Sequence, residues 1–131
     1  MPHAFPGGMD NMNFRSLIVW QKSMDLAERC YRLARRFPRE ERYVLGYQIR
    51  KSSLSMPSNI AEGKARHHTP VYVNHLWTAH GSGAELETQL EFGVRVDLVK
   101  PSEAEKLIAD AQEVARMLNG LINSLNGQQR R

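Results

Sequence analysis

A chain of 131 residues with 41% apolar and 24% charged side chains has the size and composition of one folded domain, which excludes wholesale disorder and a second full-sized core. No apolar run approaches the roughly 20 residues needed to cross a bilayer, and the N-terminus lacks the basic start and apolar stretch of a signal peptide, so a cytoplasmic protein is expected. The net charge of +4 is uneven: residues 1–70 hold 12 basic against 6 acidic side chains and residues 71–131 hold 6 against 8, making the basic half a candidate surface for a polyanion, an acidic partner or the chain's own acidic half.

Residues 1–13 contain two prolines, two glycines and no apolar period, and are expected to form a flexible leader. Its several methionines leave the true start open. From Leu17, steps of three and four pick out Leu17, Trp20, Met24, Ala27, Tyr31 and Ala34, the seam of a bundle helix. A second row, Val19, Leu26, Cys30, Leu33 and Phe37, widens the stripe enough to touch two neighbours. Cys30 is the only cysteine, so it has no disulfide partner within the chain, and its place in an apolar row predicts a buried thiol. Phe37-Pro38 ends this helix, and Glu40 and Glu41 suit the first turn of the next.

The second helix is predicted over 39–64, with Leu45, Ile49, Met56 and Ile60 facing inward. Beside them runs a polar row, Gln48, Ser52, Ser55, Asn59 and Glu62. Within it Pro57 removes an amide donor and crowds the Ser53 carbonyl, at a cost of about 3 kcal/mol in a helix interior. A kink near Pro57 is expected; the competing arrangement is a break, with Ser55 capping a new helix. Thr69-Pro70 predicts the start of a third helix, with Thr69 as N-cap, an apolar seam of Tyr72, Leu76, Ala79, Gly83, Leu86 and Leu90, and a matching polar row of His75, Thr78, Ser82, Glu85 and Gln89. After Pro101, Ser102-Glu103-Ala104-Glu105 reads as a capping box opening a fourth helix through Leu125. Asn126-Gly127 is its expected stop and residues 127–131 a frayed tail. Short connections force antiparallel neighbours, so residues 14–126 are expected to form an all-α, antiparallel up-down-up-down four-helix bundle.

If the two polar rows face each other, Ser52, Ser55, Asn59 and Glu62 meet Ser82 and Glu85, forming a structural polar network or a subunit contact. Two glutamates brought together are also the raw material of an acid/base pair. Bundles that hold two irons use Glu-x-x-His pairs, but Ala65 follows Glu62 and Thr88 follows Glu85 at that spacing. No catalytic residue, metal or cofactor is expected. The basic cluster Arg29, Arg32, Arg35, Arg36, Arg39, Arg42, Arg50 and Lys51 reads either as a solvated face or as a phosphate-tracking surface for RNA or DNA. No aromatic interleaving or groove-reading motif supports base specificity.

Leu17-x-Val19-Trp20-Gln21-Lys22, Phe37-Pro38-x-x-Glu41, Gln48-Ile49-Arg50-Lys51-Ser52, Ser55-Met56-Pro57-Ser58-Asn59-Ile60-Ala61-Glu62-Gly63 and Ala79-x-Gly81-Ser82-x-x-Glu85-Leu86-Glu87-Thr88-x-Leu90 together resemble the bacterial four-helix bundle protein family. Its members are often labelled intervening-sequence proteins of large-subunit ribosomal RNA, or S23-type proteins, and the accessory variability proteins of diversity-generating retroelements are similar in fold. The resemblance covers about residues 14–125. It implies a homo-oligomer, a pentameric ring of bundles, with a basic surface that binds nucleic acid; in the retroelement relatives the ring partners a reverse transcriptase and its RNA. The expectation is a noncatalytic oligomeric binding protein that contacts RNA or another polyanion through its basic half. The alternative is an adaptor that docks a protein partner, such as a reverse transcriptase, through its helix faces.

Overall fold

Apolar residues at steps of three and four recur in every segment that becomes a long helix, and burying those stripes against one another fixes the architecture. In the computed structural model, which describes residues 13–129, a single 3-10 turn at Phe14–Ser16 leads into α1 (Ile18–Arg35), followed by α2 (Arg39–Arg42), α3 (Leu45–Ala65), α4 (Thr69–Arg95) and α5 (Pro101–Gln129). The four long helices form an antiparallel four-helix bundle in which α1 packs on α3, α3 on α4, α4 on α5, and α5 closes back on α1. No strand occurs among the described residues. The expected leader lies, but for Asn13, outside the described residues; Asn13 itself caps the 3-10 turn, its Oδ1 accepting the Arg15 amide at 2.8 Å.

Leu26, Ile49, Met56, Ile60, Leu76, Leu86, Leu90, Leu118 and Ile122 are fully buried. Each contributes on the order of 2 kcal/mol by leaving water. On α1 the two predicted rows exchange roles: Val19, Leu26, Cys30, Leu33 and Phe37 fill the core, whereas Met24 and Tyr31 of the first row face solvent. Only the alanines of that row, Ala27 and Ala34, are buried. Both rows have helical spacing, and spacing alone does not say which is the centre of the stripe and which its edge.

The predicted second helix is two helices. Val44, at φ −109° and ψ −94°, leaves the helical region and separates α2 from α3. The break folds α2 over the first turn of α3 so closely that a Cβ on Gly46 would stand 3.2 Å from the Glu41 carbonyl and 3.5 Å from the Ala34 Cβ. Arg50 fastens the joint, its Nε–H donating to the Gly46 carbonyl at 3.2 Å and its Nη2–H to the Arg42 carbonyl at 2.9 Å. Arg42 in turn donates to the Phe37 carbonyl at 2.9 Å. By contrast α3 runs unbroken through the buried Pro57, so the competing break at Ser55 is not adopted.

Three helix ends differ from the sequence expectation. His68, rather than Thr69, is the cap residue of α4, its carbonyl accepting the Tyr72 amide at 2.9 Å. The capping box at Ser102 does not form, because the Lys100 carbonyl accepts the amides of Glu103 and Ala104, each at 3.0 Å, and Pro101 takes the first helical position. At the other end α5 continues past Asn126-Gly127 to Gln129, since a helical glycine lowers stability without forbidding the helix. Helix α4 ends with Asp97 in the left-handed region, φ 64°, while the Leu98 amide reaches back to the Gly93 carbonyl at 2.9 Å and the Asp97 amide to Val94 at 3.1 Å. That turn lays Val99 directly over Gly93.

Candidate functional site

The polar rows of α3 and α4 do face each other, and they join in one chain of hydrogen bonds. Asn59 donates from Nδ2 to the Ser55 hydroxyl at 3.0 Å and to the Ser55 carbonyl at 2.9 Å, so its Oδ1 is an acceptor and takes the His75 Nδ1–H at 3.0 Å. The Ser55 and Ser82 hydroxyls share a further hydrogen bond at 2.8 Å. Glu62 Oε2 lies 3.3 Å from His75 Nδ1. Thus Ser55, Asn59, Glu62 and Ser82 are brought together, with Ser52 buried alongside and Glu85 exposed and outside the network. The glutamates are not paired, so the acid/base arrangement does not form. His75, noted in the sequence as one of the α4 row, is the residue that links Asn59 to Glu62; it was legible only as a row member because its partners lie on another helix.

Such a chain sets the register of α3 on α4. Asn59→Ala strands the His75 and Ser55 groups and is expected to lower stability by about 1.5 kcal/mol, read from urea midpoints, with no change in helix content. A variant as stable as the wild type would remove the clasp role.

Cys30 is buried between α1 and α3, and burial pushes its thiol up to about 12. The thiolate is the nucleophilic form, so this cysteine is inert in the folded state. Among the described residues no group of three or more His, Cys, Asp or Glu side chains is gathered where it would hold a metal ion. No described helix is long and apolar enough to cross a membrane.

The eight basic residues singled out in the sequence divide into three kinds. Arg29 and Arg36 pair across the bundle with Asp110 and Glu103 of α5, and Arg32 pairs with Glu28 at 3.1 Å within α1. Lys22 and Glu113, 2.9 Å apart, add a third cross-bundle pair. Arg42 and Arg50 donate to backbone carbonyls at the α2–α3 joint. Arg35, Arg39 and Lys51 have neither a carboxylate nor a carbonyl partner among the described residues. Part of the basic half therefore answers the acidic half of the same chain, and three cations remain free to meet something else.

Two of the three stand beside tyrosine rings. The Arg35 guanidinium lies 5.9 Å from the Tyr31 ring centroid, and Lys51 Nζ lies 6.0 Å from that of Tyr47. Tyr43 follows Arg39 at the same four-residue step. Tyr31, Tyr43 and Tyr47 are 49%, 75% and 48% exposed. The repeated four-residue step was present in the sequence; what hid it was the assignment of Tyr31 to the buried seam.

A family model described as "23S rRNA-intervening sequence protein" matches residues 15–120. Among solved structures, a protein of unknown function from the S23 ribosomal protein family of Bacteroides thetaiotaomicron superposes with a TM-score of 0.76 at 26% identity, covering 81% of this chain and 96% of that one. No curated protein matches the sequence.

Proposed function

We propose, from the premise that this chain belongs to the 23S rRNA-intervening sequence protein family, that it is a noncatalytic, oligomeric binding protein whose basic half contacts RNA or another polyanion. The observation that carries the reading is the division of the cations. Arg35 at the end of α1, Arg39 at the start of α2 and Lys51 in the second turn of α3 have no hydrogen-bond or ion-pair partner among the described residues, whereas the other five are occupied by the fold. Glu40 and Glu41 stand on α2 beside them but form no ion pair with them, and the neighbourhood remains positive.

Binding that depends on phosphate neutralisation weakens steeply as salt rises. Changing Arg35, Arg39 and Lys51 together to alanine is expected to weaken RNA binding at least tenfold at low salt and to flatten its salt dependence, measured by filter binding. Arg29→Ala, which removes a cation already paired with Asp110, has a smaller effect. Undetectable binding of both RNA and DNA by the wild type at low salt would overturn the reading. The assembly we propose is a ring of copies, pentameric, and a light-scattering mass equal to one chain would remove it.

A second reading, an adaptor that docks a protein partner, is favoured by the outer face of α4. Trp77 is 48% exposed there, one turn before Gly81, whose Cβ position opens on empty space, and Ala84 is exposed beyond it. Partner capture that survives high salt would favour this reading over the polyanion one.

A further inference from the structure

The polyanion reading names a charge and leaves the form of the ligand open. Two features of the α1–α3 face narrow it. The first is placement. Ala34 is buried and would touch a Cβ on Gly46 at 3.5 Å, so α1 and α3 approach closely at these two positions. Tyr31 lies one turn before Ala34 on α1, and Tyr47 follows Gly46 on α3, so the two exposed rings flank a single helix–helix contact. Farther along the same two helices, seven residues from each ring, Met24 and Leu54 are exposed as well.

The second feature is pairing. Each ring has a cation one helical turn away, Arg35 beside Tyr31 and Lys51 beside Tyr47, both near the outer limit of attraction between a cation and an aromatic face. Neither cation has a carboxylate partner among the described residues, so each is available to a phosphate while its neighbouring ring offers a flat face. A duplex buries its base faces in its own stack and has no use for exposed rings. A single strand has free base faces, and stacking on tyrosine is worth roughly five- to a hundredfold in affinity per base while tolerating any sequence.

We infer that the α1–α3 face binds single-stranded nucleic acid, with bases stacked on Tyr31 and Tyr47 and the backbone held by Arg35, Lys51 and Arg39. This rests on the polyanion reading and goes further, because it assigns a strand form and a role to uncharged residues. Positive charge at the rings is what favours a nucleic acid over an apolar peptide on this face.

The test uses the full chain with four probes of equal label: a 20-nucleotide oligo(U), a 20-nucleotide oligo(dT), an RNA duplex of the same length, and heparin. Tyr31→Leu/Tyr47→Leu keeps the apolar area and every charge and removes only the rings. The wild type is expected to bind a single strand at least tenfold more tightly than duplex. The double variant should lose tenfold or more for oligo(U), oligo(dT) or both while heparin binding changes less than twofold, and bound strand should quench tyrosine emission in the wild type alone. The inference is overturned if the duplex binds as tightly as the single strands, or if the double variant binds them like the wild type. It is also overturned if the double variant loses self-association while keeping its strand affinity, which would make the face a contact between copies. Should no probe bind, heparin included, the polyanion reading itself has failed. Binding of heparin and duplex with no preference for single strands removes the stacking face alone.

Discussion

Gly63→Ala lowers the stability of the bundle by about 1 to 2 kcal/mol, although the same change at an ordinary helical position raises it. A Cβ at residue 63 would stand 2.7 Å from the His75 Cβ, 2.9 Å from the Tyr72 ring and 3.3 Å from the Tyr72 carbonyl. Two of those atoms belong to or adjoin the backbone of α4, so relief requires α3 and α4 to separate, and overpacking of this kind costs about 1 to 3 kcal/mol. The helix-propensity gain of about 1 kcal/mol opposes this and is outweighed. Gly120, also helical, has nothing within 4 Å of its Cβ position. Gly120→Ala therefore shows the propensity gain alone and rises by about 0.5 to 1 kcal/mol. Thermal melts of the two variants should move in opposite directions, Gly63→Ala down by about 3 °C or more. A rise in both would mean that α3 and α4 are not held at the separation described.

Alkaline pH has the second large effect. Burial raises the Cys30 thiol from about 9 to about 12, and the nearby Arg29 charge and a Ser53 hydrogen bond offset only part of that shift. Because the folded-state value is the higher one, the folded chain holds this proton more tightly than the unfolded chain. The stabilising difference is complete below pH 9 and is lost as pH rises from 9 towards 12, at up to about 1.4 kcal/mol per unit and about 4 kcal/mol in all. Burial also raises Tyr72, which adds to the loss above pH 10. Cys30→Ala begins less stable by the small cavity it leaves, about 1 kcal/mol, but lacks the thiol's share of the slope. Urea melts of both proteins at pH 8, 9, 10 and 11 should converge towards about pH 10 and cross by about pH 11. Parallel curves would show that the thiol ionises freely in the folded chain.

What could be read from the sequence, and what could not, follows from how far each determinant reaches along the chain. Helical periods are local, so the four long helices and their antiparallel order were legible in Leu45, Ile49, Met56 and Ile60 and in the α5 pattern. The polar rows were also legible, because Ser55, Asn59 and Ser82 recur at heptad spacing. The α2–α3 break was not, because it depends on Gly46 fitting against Ala34 and on Arg50 reaching the Arg42 carbonyl. The roles of the arginines were hidden for the same reason. Arg29 and Arg36 meet carboxylates 81 and 67 residues away, so nothing beside them in the sequence distinguished them from Arg35 or Arg39.

Those cross-bundle pairs also bear on how the molecule moves. Lys22, Arg29 and Arg36 recur every seven residues along α1, and Glu113, Asp110 and Glu103 answer them in reverse order along α5. All six side chains are more than a third exposed, so the pairs are screened by solvent and individually weak. Of the four neighbouring helix pairs, α1 and α5 pack least closely. The ladder therefore selects one alignment of α1 on α5 and adds little cohesion. The most closely packed side of the bundle is α3 on α4, where the clasp also lies, and the least closely packed is α1 on α5, the side on which local opening is expected to begin.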